Sequence, residues 1–169
     1  MSMKKIAILM GSDSDADVMR QAWETISDFG VQTEVRVLSA HRTPDETVAY
    51  ARSAKENGIG AIICAAGGAA HLAGVVAAVT SVPVIGVPIL SKSTSGLDSL
   101  LSMVQMPKGI PVATVAIDGA KNAGLLALRI LGVYDDEIYN KYEKFRVDQA
   151  EEVKRKDAAL QDRIAAEKQ

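Results

Sequence analysis

Along this chain, short apolar runs alternate with longer stretches in which apolar positions recur three or four residues apart. Continuous apolar runs suit strands of a parallel sheet covered on both faces, whereas a half-exposed sheet would show strict alternation. The pattern predicts strands over Ile6–Met10, Thr33–Leu38, Ala61–Ala65, Val84–Val87 and Val112–Val115. Helices are expected between them. From Asp15, the positions Val18, Met19, Ala22, Ile26 and Phe29 would lay one face on the sheet, and Gly30 would end the segment. In Thr43-Pro44-Asp45-Glu46, Thr43 is a candidate cap, Pro44 suits the first helical position, and Glu46 can complete a capping box. Further helices are predicted from Ala69 to Val79 before Pro83, from Gly96 to Val104, and from Ala120 to Leu131.

Five strands joined by helices make an α/β fold, a three-layer αβα sandwich on a parallel sheet of flavodoxin-like or Rossmann-like kind. The character changes after Gly132. Asp135 to Gln169 is heavily charged yet keeps Ile138, Tyr142, Phe145 and Val153 near helical spacing, which predicts one long amphipathic helix. The expected organisation is a domain over residues 1–133 and a helical extension over 134–169 that packs on a neighbouring subunit.

Composition narrows the classes of function. The 169 residues are 48% hydrophobic and 24% charged, which suits a soluble globular protein. Only 4% are aromatic, so Ala, Val, Ile and Leu must fill the core. A formal net charge of −2 and a pI near 5.7 give no general electrostatic reason to bind nucleic acid or an anionic membrane. Gly, Pro, Ser and charged residues interrupt every candidate membrane span, and no signal peptide is expected behind Lys4-Lys5. The single cysteine, Cys64, sits in a predicted strand and reads as a buried hydrophobe.

In an open parallel sheet, ligands gather beyond the carboxyl ends of the strands. Four segments there are unusual. Gly11-Ser12-Asp13-Ser14-Asp15 combines a turning glycine with hydroxyls and free amides at a helix start, which suits an anion, and with carboxylates that suit sugar hydroxyls. Ordinary helix capping explains the same residues. Ser39-Ala40-His41-Arg42-Thr43-Pro44 sets an imidazole able to exchange protons near neutrality beside a guanidinium able to fork onto phosphate. A plain surface histidine and arginine remain the alternative. Gly67-Gly68-Ala69-Ala70-His71 can expose amides to a carboxylate or a ring edge, or can merely ease a turn. Ser91-Lys92-Ser93-Thr94-Ser95-Gly96 is a hydroxyl-rich loop followed by Asp98, a candidate cap. Neither the Walker pattern nor the three-glycine dinucleotide fingerprint occurs, and His41 with His71 lacks a third metal ligand at useful spacing.

Taken in order, these segments and Ser95-Gly96-Leu97-Asp98-Ser99-Leu100, leading into Gln105-Met106-Pro107-Lys108-Gly109-Ile110-Pro111-Val112, resemble the class I N5-carboxyaminoimidazole ribonucleotide mutases from Lys4 to Leu131. The resemblance implies a flavodoxin-like subunit, a cytoplasmic homo-octamer with sites at subunit junctions, and no metal or organic cofactor. It also implies a purine-biosynthesis isomerase that moves a carboxyl group from an exocyclic nitrogen to a ring carbon. Carried over by position, Ser12, Ser39 and Arg42 would hold the phosphate region, Asp15 the ribose hydroxyls, and Gly67, Gly68 and His71 the base and carboxylate side. His41 would be the general acid/base. Three other readings stand beside it: a class II carboxylase using carbon dioxide directly, a non-enzymatic nucleotide sensor, and a flavin electron carrier. The near absence of aromatics beside the loops counts against the last.

Overall fold

The computed structural model describes residues 5–167. Its interior strand β1 (Lys5–Met10) turns Ile6, Ile8 and Met10 to one face of the sheet and Ala7 and Leu9 to the other. All five residues are buried because both faces are covered. Around it lie β2 (Thr33–Val37), β3 (Ile59–Gly67), β4 (Val84–Ile89) and the short β5 (Ala113–Thr114), in the order β2-β1-β3-β4-β5 with every pairing parallel. The strand order reverses between β1 and β3, so their carboxyl ends diverge there and open a crevice.

Helices α1 (Ala16–Asp28) and α5 (Ala120–Gly132) cover one face, packing Met19, Ala22, Ile26, Ala123 and Leu128 on Ile6, Ile8, Ile63 and Ile85. The opposite face carries α2 (Pro44–Ser53), α3 (Leu72–Ala77) and α4 (Leu97–Val104), whose Ala51, Leu72, Val76 and Met103 cover Ala7, Leu9, Ile62 and Cys64. The result is the expected flavodoxin-like three-layer sandwich. Cys64 is wholly buried, and burial pushes its thiol well above the usual range. Helices α1 and α5 approach closely at Gly124, where an added Cβ would stand 3.0 Å from the backbone oxygen of Ala22.

Helix α6 (Asp136–Glu167) begins on an Asp135 cap, whose carboxylate accepts the N–H groups of Glu137 and Ile138. Its first turns pack on the same chain. Phe29, Tyr142 and Phe145 form a cluster with ring centroids about 6 Å apart, Arg129 lies over the Tyr142 ring, and Lys141 Nζ donates to the carbonyl of Phe29 at 2.9 Å. Beyond them Val147, Val153 and Leu160 are exposed.

Several expected boundaries move. Strand β3 runs on to Gly67 and β4 to Ile89, past Pro88. The proline is tolerated because β5 pairs only as far as Gly86, so no ladder partner waits for the missing N–H. The third helix starts at Leu72 rather than Ala69, because Gly68 to His71 makes two tight turns in which Ala70 N–H bonds Gly68 O and His71 N–H bonds Ala69 O. Thr43 precedes α2 but does not cap it with its side chain, nor does Glu46 close a capping box. The Thr43 hydroxyl is spent on Ser39 instead. The predicted end of the last helix, Lys168 and Gln169, lies outside the described residues.

Candidate active site

The first wall is built as β1 ends. Gly11 N–H still bonds Ala65 O at 3.1 Å, and the chain then leaves the sheet through an extended Ser12 into a single 3-10 turn over Asp13–Asp15. Ser12 Oγ accepts the N–H of Ser14 at 3.3 Å. Asp15 is only 7% exposed and receives the Ser14 hydroxyl at 3.1 Å. Burial raises its pKa above the ordinary carboxylate value; the Ser14 hydrogen bond opposes the rise, and the nearby charges of Asp118 and Asp13 add to it.

The second wall follows β2. Ser39 N–H donates to Thr43 Oγ1 at 2.9 Å, and that hydroxyl donates back to Ser39 O at 3.2 Å, closing the loop on itself. Ser39 Oγ accepts from Arg42 N–H at 3.2 Å and Nε at 3.4 Å. Arg42 Nη2 then reaches across to the Gly11 carbonyl at 2.6 Å, tying the loop after β2 to the loop after β1. His41 points the other way. Its Nε2 lies 2.9 Å from Nδ1 of His71, the rings meeting nearly edge to face at 79°.

The third wall comes from β3 and α4. Gly68 has φ +65°, a left-handed conformation that suits glycine. Its N–H donates to Ser99 Oγ at 2.8 Å, Ser99 Oγ donates to Ile89 O at 2.7 Å, and Ser102 Oγ donates to Gly68 O at 3.3 Å. The hydroxyl loop before α4 is organised by Asp98, which accepts from Ser91 Oγ at 2.7 Å, Ser93 Oγ at 2.9 Å and Ser99 N–H at 2.8 Å. These donors, the Ser91 hydroxyl first, hold the Asp98 carboxyl well below the usual carboxylate range.

Between the walls lies a cavity of about 420 Å³ at the β1/β3 crevice. Of the eight residues singled out in the sequence, Ser12, Asp15, Ser39, His41, Arg42 and Gly67 line it. His71 stands outside the lining and reaches it through His41, while Gly68 turns its N–H away into α4. A larger hollow of about 590 Å³ between α5 and α6 is lined by Arg129, Tyr139, Tyr142, Glu143 and Arg146, among others. Its Arg146 and Glu143 already pair with each other, and it lies at none of the strand ends that carry these four loops.

Sequence reasoning missed the parts that act through neighbours. Gly11 serves through its carbonyl, and backbone acceptors carry no side-chain signature. Ser99 is wholly buried and joins two strands to a helix, yet in sequence it is one serine among several. Asp118, with φ +55°, accepts the N–H of Leu90 at 2.9 Å; a non-glycine in that conformation was the structural signal, visible only in the backbone. Among the described residues, no group of three or more His, Cys, Asp or Glu is placed to hold a metal, and no helix is long and apolar enough to cross a membrane.

Known proteins share this arrangement of chain. The chain is 62% identical over 146 residues to the N5-carboxyaminoimidazole ribonucleotide mutase of Pyrococcus abyssi, covering 86% of this chain and 84% of that one. It is 58% identical over 151 residues to the mutase of the same name from Saccharolobus solfataricus, covering 89% and 96%. The crystal structure of Treponema denticola PurE superposes with a TM-score of 0.84 at 31% identity, covering 93% of this chain and 98% of that chain. A family model described as AIR carboxylase matches residues 5–152, and with relatives this similar over nearly their whole length the chain belongs to the AIR carboxylase family.

Proposed function

We propose that the protein is an isomerase of purine biosynthesis that converts N5-carboxyaminoimidazole ribonucleotide into 4-carboxy-5-aminoimidazole ribonucleotide. The observation that carries the reading is the set of relatives bearing the mutase name at 52–62% identity, matched over 84–96% of their length. The cavity supports it, because it offers what the chemistry requires: anion donors, a carboxylate for sugar hydroxyls and an imidazole.

In this reading Ser12, Ser39 and Arg42 hold the phosphate, Arg42 turning to it the guanidinium that now bonds the Ser39 hydroxyl and the Gly11 carbonyl. Asp15 takes the ribose hydroxyls. Gly67, Gly68 and His71 serve the base and carboxylate side. Protonated His41 gives its proton to the exocyclic nitrogen as the N–C bond of the carbamate breaks, releasing carbon dioxide and the aminoimidazole. The electron-rich ring carbon C4 attacks the retained carbon dioxide, forming the new C–C bond, and neutral His41 removes the C4 proton to restore the aromatic ring. The proton returns to where it began. Such acid/base help is worth about a hundred- to ten-thousandfold, and holding the gas in place adds a proximity effect.

Retaining carbon dioxide needs a closed site, yet His41, Arg42 and His71 are all exposed on the single chain. This supports a homo-oligomer, the octamer that the family resemblance implies, in which a neighbouring subunit covers the cavity and the exposed part of α6 beyond Phe145 seats on another copy of the 1–133 domain. In this reading the enzyme works in the cytoplasm, because its substrate is a charged phosphate ester that does not cross a membrane unaided.

The deciding experiment supplies the carbamate substrate, and in a separate reaction the aminoimidazole ribonucleotide with bicarbonate, and follows carboxylated product. Rapid turnover of the first is expected. Efficient turnover of only the second would replace the mutase with a direct carboxylase, and nucleotide binding without turnover of either would leave a sensor.

A further inference from the structure

Parallel strands exchange hydrogen bonds at every second residue. Strand β3 begins this exchange with β4 where Ile62 N–H bonds Pro83 O at 2.9 Å, and the register holds through Gly67 opposite Ile89. Continued by steps of two, the ladder would next bring Gly68 N–H to Ile89 O. The bond is not made directly. The hydroxyl of Ser99 occupies the place between them, accepting from Gly68 N–H at 2.8 Å and donating to Ile89 O at 2.7 Å. Ser99 belongs to the first turn of α4 and is completely buried, and the next turn fixes the other side of Gly68 through Ser102 Oγ on its carbonyl.

The consequence falls on the cavity. A trans peptide points its N–H and its C=O to opposite sides. With Gly68 N–H held towards β4, the carbonyl of Gly67 is turned towards β1, where the chain has already left the sheet at Gly11 and no ladder partner follows. Gly67 lines the cavity on that side together with Gly11, Ser12 and His41. A carbonyl in this place is an acceptor without a strand to pair with.

We infer that Ser99 is a positioning residue for substrate binding: by replacing one rung of the β3–β4 ladder it locks the Gly67–Gly68 peptide so that the Gly67 carbonyl accepts a hydrogen bond from an N–H donor on the substrate's heterocycle. The inference rests on the mutase reading for the identity of that substrate. Without the hydroxyl, Gly68 N–H and Ile89 O would both lose a buried partner, and the peptide would be free to rotate or to admit water. The N–H donor of this ribosylated imidazole is its exocyclic nitrogen, which keeps a hydrogen in the carbamate, the aminoimidazole and the product, so the bond to Gly67 forms throughout the reaction and its loss lowers kcat/KM.

The test compares Ser99→Ala, Ser99→Thr and Ser99→Cys in the full-length enzyme, with the carbamate substrate. Ser99→Ala should lower kcat/KM about tenfold, the size of one neutral hydrogen bond. Ser99→Thr, which keeps the hydroxyl, should recover most of it. Ser99→Cys, close in volume but a weak donor, should behave as Ala does, and it stands in for Ala if the alanine variant fails to fold. A wild-type kcat/KM in the Ala or Cys variant would overturn the inference, as would equal loss in Thr and Ala tracking a common fall in melting temperature. Failure of the wild-type enzyme to turn over the carbamate is a separate result, and it would remove the mutase reading itself.

Discussion

Nε2 of His41 and Nδ1 of His71 meet at 2.9 Å across thirty residues of sequence, joining the loop after β2 to the loop after β3 directly over the crevice where the strand order reverses. One ring must donate to the other, so each fixes the orientation of its partner. His41→Asn should leave substrate affinity within a few-fold and lower kcat by about a hundred- to ten-thousandfold. His71→Ala removes the contact that orients His41 and a group on the base and carboxylate side, so it should lower kcat about tenfold and raise KM as well. Steady-state kinetics with direct binding measurements separates the two; equal losses in both variants would give the histidines equal roles.

Arg42 has two tasks in one side chain, bonding Ser39 Oγ and the Gly11 carbonyl. Arg42→Ala should raise KM about thirtyfold or more, the expected loss for a charge-assisted hydrogen bond. Arg42→Lys should restore little, because a point charge cannot span both partners with a planar fork. A lysine variant with nearly normal KM would show that charge alone suffices.

Asp15 and Asp98 should move stability in opposite directions with pH. The raised pKa of Asp15 means that folding favours its protonated form, so its ionisation destabilises the native state as pH rises through the folded value. Asp15→Asn should therefore melt higher than wild type at neutral pH, and the gain should vanish below 3.8, where both states are protonated. Asp98 is held low by hydroxyl donors, so its contribution is present above 3.8 and fades as acid protonates the folded carboxyl. Asp98→Asn should melt lower than wild type at neutral pH and converge with it in strong acid. Thermal unfolding across the acid range reads both signs.

Two glycines in helices should respond differently to the same added methyl. In Gly124→Ala the Cβ meets the Ala22 backbone oxygen at 3.0 Å, and neither helix can yield without separating α1 from α5. The expected cost is about 1–2 kcal/mol, after the gain in helix propensity. In Gly74→Ala the methyl meets the Met106 side chain at 3.2 Å, a flexible thioether that can rotate away. That variant should be neutral or more stable by up to about 1 kcal/mol. Chemical denaturation of each variant measures the difference.

The layers of this protein are legible in its hydrophobic pattern. Runs such as Ile6 to Met10 and Ala61 to Ala65 are apolar at every position, which only a strand buried on both faces tolerates, and the strands appear there. Loop chemistry was equally visible, because Ser12, Asp15, Ser39, His41 and Arg42 all follow strands at one sheet edge and meet in one cavity. Turn geometry was harder to read. The helix expected from Ala69 starts at Leu72, since two local backbone bonds compete with helix formation after Gly68, and apolar periodicity carries no record of that competition.

What the chain alone determined, then, is an alternation of buried strands and covering helices and a set of polar loops at the carboxyl edge; both follow from solvation and local backbone preference, which act on each segment where it stands. What the tertiary structure decided is which loops touch. The histidine pair, the reach of Arg42 to Gly11 and the insertion of Ser99 between Gly68 and Ile89 each join segments about thirty residues apart or belong to a ladder between strands. Hydrogen bonds of that range depend on the order of strands in the sheet, and the order is set by packing all the elements at once.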